Sequence, residues 1–296
     1  MPCWRSGGVF EIDSNKKTTH NLLWKKEFIS TWKKGEPMVN YEERHKLKKH
    51  DFTILEKYDF KYAPVGFKYF NDASDLEGLG LGKLDKRIAW CQMLREAQDG
   101  NAFYAEADNQ FCEPGIFLTG HGELDPIAAG GRIGPPFEIY ADERANRRVY
   151  NHVHRLEVGS VQSTGFASLD KMTFDPDLLI LTCDNMDQTE RVLRATQYDT
   201  GDLIESKMTY VMGCNWIFNY PYVTGKINTV TTGISYGMKM YKLYPPGMQI
   251  ISIPWDHMDR VLRNMHEMAW TVPGHTDEKK EFYEIAHARL GLEQII

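Results

Sequence analysis

Apolar positions recur with two periods along this chain, and they predict alternating strands and helices. From Pro64 onward, Val65, Phe67 and Tyr69 alternate with other residues, the pattern of a strand. A helix over Lys86–Gln98 follows, with Asp85 as its cap and Gly100 as its stop, and then a strand over Ala102–Ala107. The pattern begins again at Pro176. Leu178–Thr182 is a continuous apolar run, read as a strand buried on both faces. A helix at about Asp187–Tyr198 ends at Gly201, and an extended segment, Leu203–Met212, comes next. Two more strands, Lys226–Thr231 and Met248–Ile253, precede a helix over Asp256–Ala269. That helix carries Met258, Val261, Leu262, Met265 and Met268 on one face, a stripe read as core filling.

The two runs line up. Leu94-Arg95-x-Ala97-Gln98-x-Gly100 lies 12 residues before Cys112, counted from the glycine. Leu193-Arg194-x-x-Gln197-x-x-x-Gly201 lies 13 residues before Cys214. The expected fold is therefore α/β, a mixed sheet with flanking helices, in which two βαβ-type half-repeats (64–120 and 177–225) make one compact domain over residues 51–270. Residues 1–50 read as an N-terminal helical extension, with Leu22, Leu23, Trp24, Phe28, Ile29 and Trp32 at helical spacing and a charged helix face at Glu43–His50. Residues 271–296 read as a C-terminal helical tail.

Composition narrows the function classes. Of 296 residues, 42% are hydrophobic and 26% charged, which suits a globular protein, and the net charge of −6 disfavours nucleic acid as a partner. No apolar run approaches membrane-spanning length, and the N-terminal residues lack the apolar core of a signal peptide, so a cytoplasmic location is expected. The loop EGLGLGK at 77–83 resembles a phosphate loop, but Glu77 stands where the first glycine belongs and Leu84 follows Lys83, so it reads as a surface loop.

The chemistry rests on cysteine. Five are present, Cys3, Cys91, Cys112, Cys183 and Cys214, with no CxxC and no HExxH, so any metal site must be assembled from distant segments. Cys112 and Cys214 each follow a predicted strand and precede a predicted helix start, where free N–H groups favour the thiolate. Taken alone, Cys91 reads as a core residue of its helix, and Cys183 reads first as core. Tyr104, Phe111, Trp90, Trp216, Phe218, Tyr220 and Tyr222 lie near these cysteines in sequence, most as core and a few as candidates to line a pocket.

A family resemblance adds to this. Pro64-Val65-Gly66-Phe67-Lys68-Tyr69-Phe70, Trp90-Cys91, Ala97, Gly100, Phe103-Tyr104, Cys112, Gly115, Gly120 and Gly122-Glu123 resemble the front half of domain-of-unknown-function family 169. Phe174-Asp175-Pro176-Asp177, Leu193, Gly201, Cys214 and Pro221-Tyr222-Val223-Thr224-Gly225-Lys226 resemble its second half, so the likeness spans about residues 54–270. The family is uncharacterised and is common in anaerobic bacteria and archaea. The resemblance implies that Cys91, Cys112 and Cys214 are its recurring cysteines. One stretch departs: relatives often read Gly-Cys-x-Gly-x-Arg where this chain has Gly233-Ile234-Ser235-Tyr236-Gly237-Met238-Lys239.

The reading that follows is a metal-dependent enzyme of anaerobic metabolism. Cys91, Cys112 and Cys214 would ligate an iron–sulfur cluster whose open iron binds or reduces a small, apolar or aromatic substrate. An electron-donor protein and a second copy of the chain are its expected partners. Two alternatives stay open: a zinc site of cysteines with His121, His152 or His154, carrying hydrolase or lyase activity, and a non-catalytic protein that binds a cofactor or partner.

Overall fold

The computed structural model describes residues 50–270 and Ala288. These belong to one of the two units into which the chain divides, His45–Ile296. The helices expected over residues 1–50 and in the tail 271–296 therefore fall almost wholly outside the described residues. His50, at the edge, is not helical.

In chain order the elements are α1 (Thr53–Glu56), β1 (Val65–Phe70), β2 (Gly82–Lys83), α2 (Trp90–Gln98), β3 (Ala102–Glu106), α3 (Glu113–Leu118), α4 (Pro126–Ala129), α5 (Glu143–Tyr150), β4 (Ser163–Ser168), β5 (Leu178–Cys183) and α6 (Met186–Gln197). A π-helical turn, Asn215–Asn219, then runs into α7 (Tyr220–Thr224). After it come β6 (Asn228–Thr231), α8 (Tyr236–Met240), β7 (Gln249–Pro254) and α9 (Met258–Glu267). The strands form one mixed sheet in the order β2-β3-β4-β1-β5-β7-β6, in which β2 and β3 pair in parallel and every other neighbouring pair is antiparallel. This is the expected mixed α/β sheet with flanking helices.

Strand alternation divides the core in two. On one face Val65 and Phe67, Phe166, Leu178 and Ile180, Ile250 and Val230 pack against Trp90, Met93, Leu94 and Ala97 of α2 and against Trp216, Ile217 and Phe218 of the π turn. On the other face Leu179, Leu181, Cys183, Ile251 and Ile253 pack against Val192 and Ala195 of α6, against the methionine-rich face of α9 and against Ile54 and Leu55 of α1. The run Leu178–Leu181 is apolar throughout because β5 feeds both cores. The methionine stripe is core filling, as its spacing implied. Among the described residues, no helix is long and apolar enough to cross a membrane.

The two halves differ from the expected boundaries. The segment 64–120 carries β1, β2 and β3, whereas 177–225 carries β5 alone. Leu203–Met212 is not a strand. It runs beside β6, but the Asn228 side chain stands where a ladder would be: its Oδ1 accepts the Lys207 N–H at 2.9 Å and its Nδ2 donates to the Lys207 carbonyl at 3.0 Å. The same Nδ2 donates to the Trp216 carbonyl at 2.7 Å, and the Ser206 hydroxyl donates to the Thr229 carbonyl at 2.7 Å. A different correspondence is visible in the strand order. In the first half, β4 lies between β1 and β3; in the second, β7 lies between β5 and β6. The helical segment before each outer strand, α2 or the π turn with α7, covers the same face, and each ends at a left-handed glycine, Gly100 (φ 88°) or Gly225 (φ 64°). In this arrangement Cys91 and Cys214 begin corresponding helices, and Cys112 has no counterpart.

Asn228 is 1% exposed, so its loss leaves three backbone groups without their partner. Asn228→Ala is expected to destabilise the fold by about 2–3 kcal/mol in urea denaturation and to speed amide exchange at Lys207. Unchanged protection at Lys207 would show that the segment is held some other way.

Candidate three-cysteine site

Three cysteines from separate segments line one cavity of about 240 Å³. Cys91 is the second residue of α2, whose start is set by the extended backbone of Ala89 and by the Ala89 N–H donating to Gln92 Oε1 at 2.9 Å. Cys112 is the N-cap residue of α3, with Pro114 in the first turn, a position proline's missing N–H suits. Cys214 is the N-cap residue of the π turn and follows Met212, a non-glycine residue held at φ 61°, and Gly213. A Cβ on Gly213 would lie 2.5 Å from the Ser235 hydroxyl oxygen, so glycine is required for the turn to press against that wall. Left-handed strain at a bulky residue persists only where the surroundings impose it. Here the strained residue directly precedes the Gly213-Cys214 pair.

The thiols differ in acidity, and not as their positions in sequence suggested. Cys91 lies below the usual thiol range. The Cys214 thiol hydrogen-bonds to it, and the N–H groups of Cys91 and Gln92 at the start of α2 support the thiolate against the opposing effect of burial. The hydrogen bond to Cys91 and burial together hold Cys214 well above the usual range. Burial pushes Cys112 up to about 11. The expected depression at Cys112 and Cys214 is therefore corrected. α3 has only six residues, and its one N–H contact, from Gly115, does not offset the desolvation of Cys112.

The remaining wall is mainly apolar: Ile133, Ile139, Val211, Met212 and Met240, with Tyr150, Tyr236 and Tyr241. Glu113 is the one charged side chain in the lining, and it is exposed. Asn146, on α5 one turn before Tyr150, is 2% exposed, and its Nδ2 has no hydrogen-bond partner. A Cβ on Gly134 would lie 3.0 Å from Asn146 Oδ1, so the 130–134 loop closes directly over this amide. A donor shut away in this way costs about 1–3 kcal/mol until an acceptor reaches it.

Other candidates lie elsewhere. Cys183 is in the opposite core, and burial pushes it up to about 12. None of the three histidines lines the cavity. His121 Nδ1 is 3.3 Å from Gln110 Nε2, His152 is exposed, and the His154 ring packs edge-on to Tyr220 at 5.1 Å. The aromatics named from sequence are also absent from the lining; Trp90 and Phe218 stack in the core instead. The lining residues that sequence reasoning missed, Asn146, Tyr150 and Tyr241, had one faint signal. In α5, Asn146, Val149 and Tyr150 form the uncharged stripe of an otherwise charged helix. Among the described residues, no three His, Cys, Asp or Glu side chains stand as a ready ligand set for a metal ion.

A family model described as uncharacterised ArCR, domain of unknown function 169, matches residues 53–264. The chain belongs to that family. No curated protein and no solved structure matches it. In this member of family 169, the stretch 233–239 supplies Ser235, Tyr236 and Gly237 to the cavity wall.

The acidity order has a direct consequence. In reduced, metal-free protein, alkylation of Cys91 should rise with pH to a midpoint below that of an ordinary thiol, and alkylation of Cys112 should rise to a midpoint near 11. Each thiol is protonated below its own midpoint, so raising pH recruits Cys91 first. Cys214→Ala removes the hydrogen-bond donor and should move the Cys91 midpoint upward. Peptide mapping by mass spectrometry reads both midpoints, and a Cys112 midpoint below that of Cys91 would refute the assignment.

Proposed function

We propose that Cys91, Cys112 and Cys214 hold an iron–sulfur cluster at the inner end of this cavity. One iron is left open toward a small, largely apolar substrate, in a metal-dependent enzyme of anaerobic metabolism. The observation that carries the reading is the assembly of three cysteines from α2, α3 and the π turn around one enclosed space. The enclosed donors are thiols, with the Glu113 carboxylate exposed at the rim, which favours a cluster over zinc, because the histidines that would complete a zinc site lie outside the cavity. The stretch 233–239 supplies Ser235 and no thiol to the cavity wall, so the donor set stays at three thiols and would leave one iron open.

When bound, a cluster of this kind supplies Lewis acidity or an electron to a molecule seated beside it. The chain's own residues then have separate tasks. Ile133, Ile139, Val211 and Met212 exclude water from the seat, Tyr150 and Asn146 offer neutral donors, and exposed Glu113 stands at the rim. In this reading the protein works in the cytoplasm with an electron-donor protein as partner.

Anaerobic reconstitution with iron and sulfide is expected to give iron, acid-labile sulfide and visible charge-transfer absorption. Cys112→Ser and Cys214→Ser should each lose them, while Cys183→Ser, in the opposite core, should retain them. Full iron and sulfide content in a protein lacking both Cys112 and Cys214 would end the proposal.

A further inference from the structure

The cavity's polar groups say which molecules it can hold. Its lining contains no Lys, Arg or His, and its one formal charge is the carboxylate of Glu113. An anion entering it would find no cation to replace its water, and it would meet Glu113 and the sulfurs of three cysteines. The groups that can donate are neutral. The Asn146 amide and the Tyr150 hydroxyl lie one helical turn apart on α5, and Tyr241 stands on the opposite segment. Of these, Asn146 is the enclosed one: it is 2% exposed, its Nδ2 is unpartnered, and the Gly134 backbone closes over its Oδ1 side. An enclosed donor without an acceptor is satisfied by a ligand oxygen brought to it, and the apolar wall is suited to the rest of such a ligand.

We propose that the site selects a neutral, mainly apolar molecule carrying one carbonyl-type acceptor, and that Asn146 is its specificity-determining donor. The inference deepens the reading of the cavity as a substrate site, but it does not need the cluster to be present. A site built around a buried donor discriminates sharply against analogues lacking the acceptor, because they leave that donor unpaired. It discriminates against carboxylates for the charge reason above.

Binding of three probes to the full chain, followed by saturation-transfer NMR, tests this. Acetophenone carries the neutral acceptor, benzoate is its anionic counterpart, and ethylbenzene lacks the acceptor. Acetophenone is expected to bind about tenfold or more tightly than either of the others. Asn146→Leu keeps the side chain's size and removes its donor. It should weaken acetophenone about tenfold and leave the weak binding of ethylbenzene unchanged. Equal binding of benzoate and acetophenone, or of ethylbenzene and acetophenone, overturns the proposal on the wild-type protein alone, even if the variant fails to fold. So does a folded Asn146→Leu protein that binds acetophenone as well as wild type. Iron and sulfide are assayed on the same samples, with and without reconstitution. Probe selectivity in protein that takes up no iron would sink the cluster and leave this inference standing. Loaded protein without selectivity would do the reverse.

Discussion

The stack of Trp90 on Phe218, with ring centroids 4.5 Å apart and planes 22° from parallel, sets where two of the three cysteines stand. Trp90 opens α2 and is followed at once by Cys91. Phe218 lies in the π turn that Cys214 caps. Both rings also meet Phe67 at the centre of β1, at 5.8 Å and 4.6 Å, and Phe166 extends the cluster onto β4. Each of these side chains is fully buried. Buried aromatic contacts of this kind carry large apolar area with directional preference, so they fix orientation as well as distance. Two helix starts from distant parts of the chain are thereby held on one sheet face with their thiols adjacent.

The third cysteine is tied in by hydrogen bonds. Asn219, in the π turn, donates to the Leu118 carbonyl at 2.8 Å and to the His154 carbonyl at 2.6 Å, and its Oδ1 accepts from the Tyr69 hydroxyl at 2.8 Å. Leu118 ends the helix that Cys112 begins. The one amide therefore joins the segments of Cys112 and Cys214 to the central strand. Leu118 and Tyr69 are buried and His154 is half-buried, and such a network is stable only when every member is satisfied. Asn215, four residues earlier, accepts the His154 N–H at 2.6 Å. Both asparagines lie in the π turn, a geometry frequent at functional sites.

Much of the fold was legible because it follows period and punctuation. β1, β3, β5, β6 and β7 lie where alternation or apolar runs placed them, and α6 and α9 lie where glycine stops and apolar stripes placed them; α2 stops before Gly100 as expected but begins at Trp90, not Lys86, so Ala89 rather than Asp85 is its N-cap residue. β4 was not legible. Its sequence, STGFAS, is polar and small, yet all six residues are buried. Its small residues are what the packing demands: a Cβ on Gly165 would lie 2.5 Å from the Phe70 ring. Leu203–Met212 misled in the opposite direction. It has a strand's composition, but the Asn228 amide takes the Lys207 backbone groups that a ladder would use. The helical segments that precede β3 and β6 and cover the same sheet face end at Gly100 and Gly225, and their starts set Cys214 beside Cys91.

The placement of these helix starts bears on the acidities. It brings the Cys91 and Cys214 thiols within hydrogen-bond reach, and the pair shifts in opposite directions, Cys91 below and Cys214 above the usual thiol range. Which of the two is lowered depends on the helix behind it. α2 has nine residues, and the N–H groups of Cys91 and Gln92 are turned to the Cys91 sulfur. The π turn opens with Cys214 already in helical backbone geometry and with no side-chain cap, and its thiol hydrogen-bonds to Cys91. Cys112, placed at a short helix without a counterpart, gains too little from its N–H neighbour to offset burial. The asymmetry among the three thiols thus follows from helix length and pairing, the same two features that place the sulfurs.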